Sequence, residues 1–337
     1  MPQCVIDNSL TRLEVPGFRY PLGVFPTSEL TPRPGFAVGF EPADGGESAE
    51  DGAEWEEWPD RYAYEVVVSS ERLPALVSSL LPLLPGRVYP ILDVLGRDAY
   101  REIDPFISYE LVGLDRFIDG VRRYRPFLYE DGLCGFGAMC DDPFIYLVID
   151  EHKNLVLRVT PEDRERVEKI LRSFDLEQIE DPVGIDAADH EHRSVLLAPE
   201  DKPEFLSVDE VVERLRDEWR LTLNIDIESN TDDDGRDLGV TAWRCLVRVN
   251  TEENPDPKYA EVLMEAPNFR CAEEGCQEAT IRRLGLDEAS LIDLVTISAD
   301  RVRPETLKRW LAGRRQEASE MLSDLPDTRI HRVRWLG

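Results

Sequence analysis

Apolar and polar positions alternate in two distinct rhythms along this chain, and the rhythm changes mark out its elements. From Tyr62, "YAYEVVVS" begins with alternation and is rich in β-branched residues, which predicts a strand. The next segment places Leu73, Leu76, Val77, Leu80, Leu81 and Leu84 at helical spacing. Pro74 fits only the first turn, so this helix begins around Arg72, and "PG" at 85–86 ends it. "RVYPILDVL" predicts a second strand, with Pro90 arguing for an edge or a bulge. "FISYELVG" predicts a third strand, and Leu114, Phe117, Ile118, Val121, Tyr124 and Leu128 form the stripe of a second helix. "LCGFGAM" is the fourth strand. The order β-α-β-β-α-β predicts a ferredoxin-like α+β domain.

The pattern continues with "PFIYLVID" and "NLVLRV", a hairpin closed by "EHKN". A third helix follows, with Thr160 at the N-cap, Pro161 at the first position and Asp163 in the capping-box place. The first domain is thus expected over 62–178, and 179–206 as a linker or surface loop without a sustained period. The second domain, 207–337, opens with "SVDE", a capping box before a helix carrying Val208, Val211, Val212, Leu215 and Trp219. "LTLNIDIE", "VTAWRCLVRV", "YAEVLMEA" and "EATIRRL" predict four strands in a meander, with "LVTIS" as a fifth. Pro304 starts a helix, and "RIHRVRWLG" closes the chain as a strand, giving a second α+β domain with a mainly antiparallel sheet.

Composition changes the picture at the N-terminus. Residues 1–61 are rich in proline and glycine, and 41–60 hold nine acidic residues and no basic one, so this region is expected to be draped or poorly ordered. Trp55 and Trp58 within it are candidate docking aromatics, though tryptophans in such segments more often fold back onto the nearest surface.

The formal charge of −30 argues against nucleic acid as a partner and favours a basic protein surface. Residues 301–337 depart from it, with nine Lys+Arg against five Asp+Glu, and Arg309, Arg314 and Arg315 are the candidate partner contacts there. The 337-residue sequence has no apolar run of bilayer length, and its start lacks the basic and apolar blocks of a signal peptide, so a cytoplasmic protein with no membrane partner is expected. Self-association is compatible with all of this. The six cysteines are sparse and predict buried free thiols; the C-x4-C at 271–276 and C-x5-C at 134–140 do not match structural zinc knuckles.

Few motifs carry chemistry. "DAADHEHRS" gathers Asp186, Asp189, His190 and His192, and on a strand the two histidines would project the same way, as two imidazole ligands of zinc would. A third ligand would have to come from elsewhere in the chain. "ESNTDDDGRDLG" places Asn230, Asp232 and Asp234 at positions one, three and five of a calcium loop, but Thr241 stands where a bidentate glutamate belongs. A polar turn explains it more simply. "GLCGFGAM" lacks the helix that a phosphate-binding glycine loop would precede. Asp104, Glu110 and Asp115 are carboxylates with no predicted spatial pairing. The expected function is a non-catalytic, acidic, adaptor-like or immunity-like module that needs no cofactor. The alternative is a metal-dependent hydrolase using the Asp/His cluster at 186–192, with zinc or calcium as the possible ion, and the third reading is a small-molecule sensor with an interdomain cleft.

Overall fold

The computed structural model describes residues 3–43, 58–199, 201–202, 204–252, 254–312 and 319–336. It is a mixed α and β protein whose sheets are mostly antiparallel. The chain divides into two compact units, one of residues 1–95 and 105–224, the other of 96–104 and 225–337.

The first unit contains strands β1 (Glu14–Val15), β2 (Phe18–Arg19), β3 (Val24–Pro26), β4 (Gly35–Glu41), β5 (Arg61–Val67), β6 (Arg87–Leu95), β7 (Ile103–Ile107), β8 (Val112–Gly113), β9 (Cys134–Asp141), β10 (Phe144–Ile149), β11 (Leu155–Val159), β12 (His190–His192) and β13 (Thr222–Leu223). Its helices are α1 (Leu73–Leu80), α2 (Leu114–Arg123), α3 (Arg125–Glu130), α4 (Arg164–Ser173) and α5 (Val208–Trp219). The large sheet runs β13-β7-β6-β9-β10-β11-β5-β4, with β8 also pairing β6.

That order is not the ferredoxin-like one. In a split β-α-β arrangement the returning strand inserts between the two strands joined by the crossover. Here β7 lies on the outer side of β6, and β5 is four strands away from β6, against β11 and β4. The reason is the β10–β11 hairpin. Its β11 pairs with β5 from Leu155↔Val66 to Val159↔Tyr62 and so occupies the edge of β5 that a ferredoxin-like fold would give to another strand. Pro90, expected at an edge or bulge, lies inside the sheet. The Pro90 carbonyl accepts the Ser108 amide, where β6 changes partner from β7 to β8.

The helix of Ser207 has the predicted capping box, with Ser207 Oγ accepting from the Glu210 amide. It does not open the second unit. Val211, Leu215 and Trp219 are buried in the first unit's core beside Phe117, Val121 and Phe127. Trp219 stacks on Phe117 at 4.9 Å and lies against Gly120, where a Cβ would come within 2.6 Å of the indole nitrogen. Thr160 and Asp163 make no side-chain cap; a 3-10 turn at Pro161–Asp163 precedes α4 instead.

The second unit contains β14 (Thr241–Thr251), β15 (Asn254–Ala266), β16 (Leu291–Val302), β17 (Glu320–Met321) and β18 (Arg329–Leu336), in the order β16-β14-β15-β18-β17. Its helices are α6 (Phe269–Leu284) and α7 (Pro304–Leu311). "EATIRRL", predicted as a strand, belongs to α6. Asn268 caps that helix by accepting the Cys271 amide, and Gly285 ends it at φ +63°. Its buried residues are small: Cys271, Ala272, Gly275, Cys276 and Ala279. They repeat at helical spacing and let α6 lie close on Cys245, Val262 and Met264. "LTLNIDIE" is a strand only at Thr222–Leu223.

Candidate metal centre

Three histidines from two distant parts of the first unit meet at one point. The ligand nitrogens of His152, His190 and His192 all lie within 4.8 Å of one another. The ring centroids form a near-equilateral triangle with sides of 4.8, 5.2 and 5.0 Å. All three residues are half-buried.

His190 and His192 are the ends of β12, and the period of two puts their rings on one side while Glu191 projects outward and is exposed. β12 is fixed by pairing with β3, from His190↔Pro26 to His192↔Val24. The pairing is extended by Arg193, whose amide donates to Gly23 O at 2.8 Å. Gly132 closes the frame, donating to Arg193 O at 3.1 Å. Only glycine fits here. A Cβ on Gly132 would lie 2.1 Å from Gly23 O, and one on Gly23 would lie 2.2 Å from Gly132 N. Asp131, fully buried, accepts from the Leu133 amide, the Val195 amide and Ser194 Oγ, at 2.8–2.9 Å. It thereby ties the segment carrying Gly132 to the one that follows His192.

His152 comes from the turn between β10 and β11. Asn154 N donates to Asp150 Oδ1 at 2.8 Å, and Lys153 adopts φ 68°, which closes the loop. Lys153 is buried, and its ammonium donates to Cys134 O. The lysine therefore points into the protein, away from the turn's surface, and His152 is left facing the two histidines of β12.

The second nitrogens of the rings are all engaged. His190 Nδ1 is 2.7 Å from Ala188 O, and His192 Nδ1 is 2.7 Å from Gly132 O. A carbonyl only accepts, so both Nδ1 atoms carry a proton, and in the neutral rings both Nε2 atoms present a lone pair. His152 Nδ1 faces carboxylates instead, 3.4 Å from Glu151 Oε1 and 3.9 Å from Asp150 Oδ2. Its Nε2 is 3.0 Å from His190 Nε2. One of these two Nε2 atoms carries the proton shared between them. Burial works against a charge on His152, but the nearby carboxylates of Asp150, Glu151 and Asp186 outweigh it and raise its pKa. His192 moves the other way: burial lowers its pKa, the bond to Gly132 opposes that, and the two neighbouring histidines lower it further.

Of the residues singled out in the sequence, His190 and His192 are brought together, while Asp186 and Asp189 are not part of the converging set. Asp186 lies in the 3-10 turn Ile185–Ala187 and accepts from Asn154 Nδ2 at 3.0 Å, behind His152. His152 was not foreseen as a partner of the other two. Nothing in its hairpin-turn surroundings points to a strand nearly forty residues further on.

The other candidates do not converge. In the acidic loop of the second unit, the buried Asn230 donates to Gly239 O and Thr241 Oγ1 and accepts from Arg301. Asp232 Oδ1 accepts from the amides of Asp234 and Arg236, and Asp234 pairs with Arg236 at 3.1 Å. These are the bonds of a turn, with Gly235 at φ +76°. Trp58 folds back onto Phe144 and Tyr146, with ring centroids at 5.3 and 5.7 Å. Arg309 is exposed on α7; Trp55, Arg314 and Arg315 lie outside the described residues. The cysteines are free, and burial raises the thiols of Cys4 to about 11 and of Cys134 and Cys140 to about 12, so none of these three is a ready thiolate. Asp104 pairs with Arg101 and Glu110 with Arg220, each separately, and Asp115 lies in the first turn of α2.

Among the described residues no helix is long and apolar enough to cross a membrane. No protein-family model matches the sequence, and no curated protein or solved structure is significantly similar to it.

Proposed function

We propose that this protein binds a divalent transition metal, zinc in the first place, through His152, His190 and His192. The observation that carries the reading is the pairing of three convergent ring nitrogens with a fixed outer partner on each ring. Metal-ligating histidines almost always donate their other N–H to a carbonyl or a carboxylate, which fixes the tautomer and the ring plane. Imidazole nitrogen suits zinc, copper, nickel and iron, and tetrahedral Zn–N bonds of about 2.05 Å place ligand nitrogens roughly 3.3 Å apart. The closest pair already stands at 3.0 Å, and rotation of half-buried rings would bring in the third.

The bonds above also say why a cation belongs there. Three ring nitrogens converge, and a shared proton can join only the His152 and His190 pair. A metal replaces that proton and satisfies all three lone pairs at once. An acidic module that captures a basic protein, the reading favoured by net charge alone, has no comparable constellation among the described residues.

Isothermal titration of chelator-treated protein with zinc is expected to give one equivalent bound. The His190→Ala, His192→Ala and His152→Ala variants should each lose stoichiometric binding, and the Asp232→Ala variant should keep it. Equal binding by wild type and all three histidine variants would sink the proposal.

A further inference from the structure

We infer that a metal at this centre keeps one solvent-facing coordination position, which takes water, hydroxide or a small monoanion. The inference rests on the metal reading above. Three arguments from the geometry carry it.

The first is the donor count. Among the described residues the converging set contains three histidines and no fourth side chain. Structural zinc sites close themselves with four protein ligands, whereas three protein ligands leave a position for an exogenous one. The second argument concerns the nearby carboxylates, which face the outside of the ring cluster. Asp150 Oδ1 is held by the Asn154 amide, Asp186 Oδ1 by Asn154 Nδ2, and Glu151 Oε1 lies beside Nδ1 of His152, the nitrogen away from the cluster. To serve as a fourth ligand, Glu151 would have to leave the nitrogen of His152 it lies beside, and Asp150 or Asp186 would have to give up its bond to Asn154. The third argument is exposure. The side chain of His152 keeps 18% of its surface accessible, and His190 and His192 are likewise only half-buried, so solvent reaches the cluster.

Charge then selects the occupant. Three neutral imidazoles leave the double charge of the ion uncompensated within its first ring of ligands, and the carboxylates act only from beyond the rings. Such a cation polarises bound water strongly; on zinc held by three histidines, water ionises at a pH of about 7. Held by these three histidines, zinc would supply a Lewis-acid position at which a bound water could lose a proton to solvent near neutral pH. A small monoanion such as azide competes for the same position.

Cobalt(II) in place of zinc makes the position visible, because its d–d absorption reports coordination number and ligand type. The cobalt-loaded protein is titrated with azide at fixed pH, after one-to-one loading has been confirmed by metal analysis. A saturable change in the visible spectrum, matched by a change as pH is raised through neutrality without azide, is the expected result. Stoichiometric cobalt with a spectrum indifferent to azide and to pH would overturn the open position while leaving the metal centre intact. Absence of bound cobalt and zinc would overturn both. The Glu151→Gln and Asp186→Asn variants give a separate check. If an azide response appears only after one of these substitutions, that carboxylate fills the fourth position and the inference fails.

Discussion

At the scale of single residues, His152 is the group on which the centre turns. Its ring lies between Glu151 and Asp150 on one side and His190 on the other, and the raised pKa favours a proton on the ring that a metal would displace. Metal and proton therefore compete. Zinc binding is expected to release about one proton from this ring when the pH lies below the raised pKa of His152, and less as pH rises through it. Apparent affinity should rise with pH over that window and level off above it. Calorimetry in buffers of different ionisation enthalpy measures the proton count directly; a count of zero at pH 6 would contradict the raised pKa of His152. The same linkage has a stability side. A base whose pKa is raised by folding contributes stability that is complete below its unfolded value near 6.5 and fades as pH rises through the folded one. His192, with its pKa lowered, opposes this, because acid must charge it against burial.

Elements show how much of this was legible in the sequence. Strands with a clean period were found close to where they lie, among them Arg61–Val67, Phe144–Ile149, Leu155–Val159 and Arg329–Leu336. The β-branched and alternating residues that fit a pleated, half-buried surface carry that signal locally. Sheet order was not legible, since pairing β11 with β5 depends on contacts about ninety residues apart. α6 was misread because its buried face is built from cysteine, alanine and glycine, too small to register as an apolar stripe. The candidate site was half legible: the spacing of His190 and His192 on a strand could be argued from two-residue periodicity, whereas their meeting with His152 is a tertiary event. Packing at the α2–α5 contact yields a sharper expectation. Gly120 is the only residue type that leaves room for Trp219, so Gly120→Ala should destabilise the first unit by about 1–3 kcal/mol through overpacking. Chemical denaturation followed by tryptophan fluorescence checks this, and an unchanged midpoint would show that the indole can move aside at no cost.

For the whole molecule, the excess of acidic residues hides a local inversion of sign. In the second unit Glu261, nearly fully buried, is surrounded by three guanidinium groups, with Arg244, Arg332 and Arg334 at 3.0, 2.8 and 2.8 Å. Burial alone would raise its pKa, but the hydrogen bonds from Arg334, Arg244 and Arg332 bring it down to about 2. A carboxylate whose pKa is depressed by folding contributes stability that is present above its unfolded value, near 4.5, and is lost as pH falls toward the folded value. Asp300, on β16, behaves oppositely: burial and the charges of Asp104 and Asp98 raise it from 3.8 to about 6, so its contribution to stability is lost as pH rises between those values and stays lost above them. Glu261→Gln is expected to cost about 3 kcal/mol or more at pH 7, because three buried or half-buried cations lose their shared counter-charge. Thermal melts of both proteins at pH 7 and pH 3 test it: the difference between them should shrink on acidification, and a constant difference would show that the charge of Glu261 is not what matters.

The two-stranded pairing of β3 with β12 has a consequence in time as well as in space. It joins a segment near residue 25 to one near residue 191, with three backbone partners on each side, and the histidines stand at its ends. A ligand that binds only the assembled triad withdraws it from local opening by mass action, in proportion to the logarithm of its free concentration. The working lifetime of this molecule would then follow the metal supply: long-lived copies in replete conditions, and quick turnover by proteases once the ion is scarce.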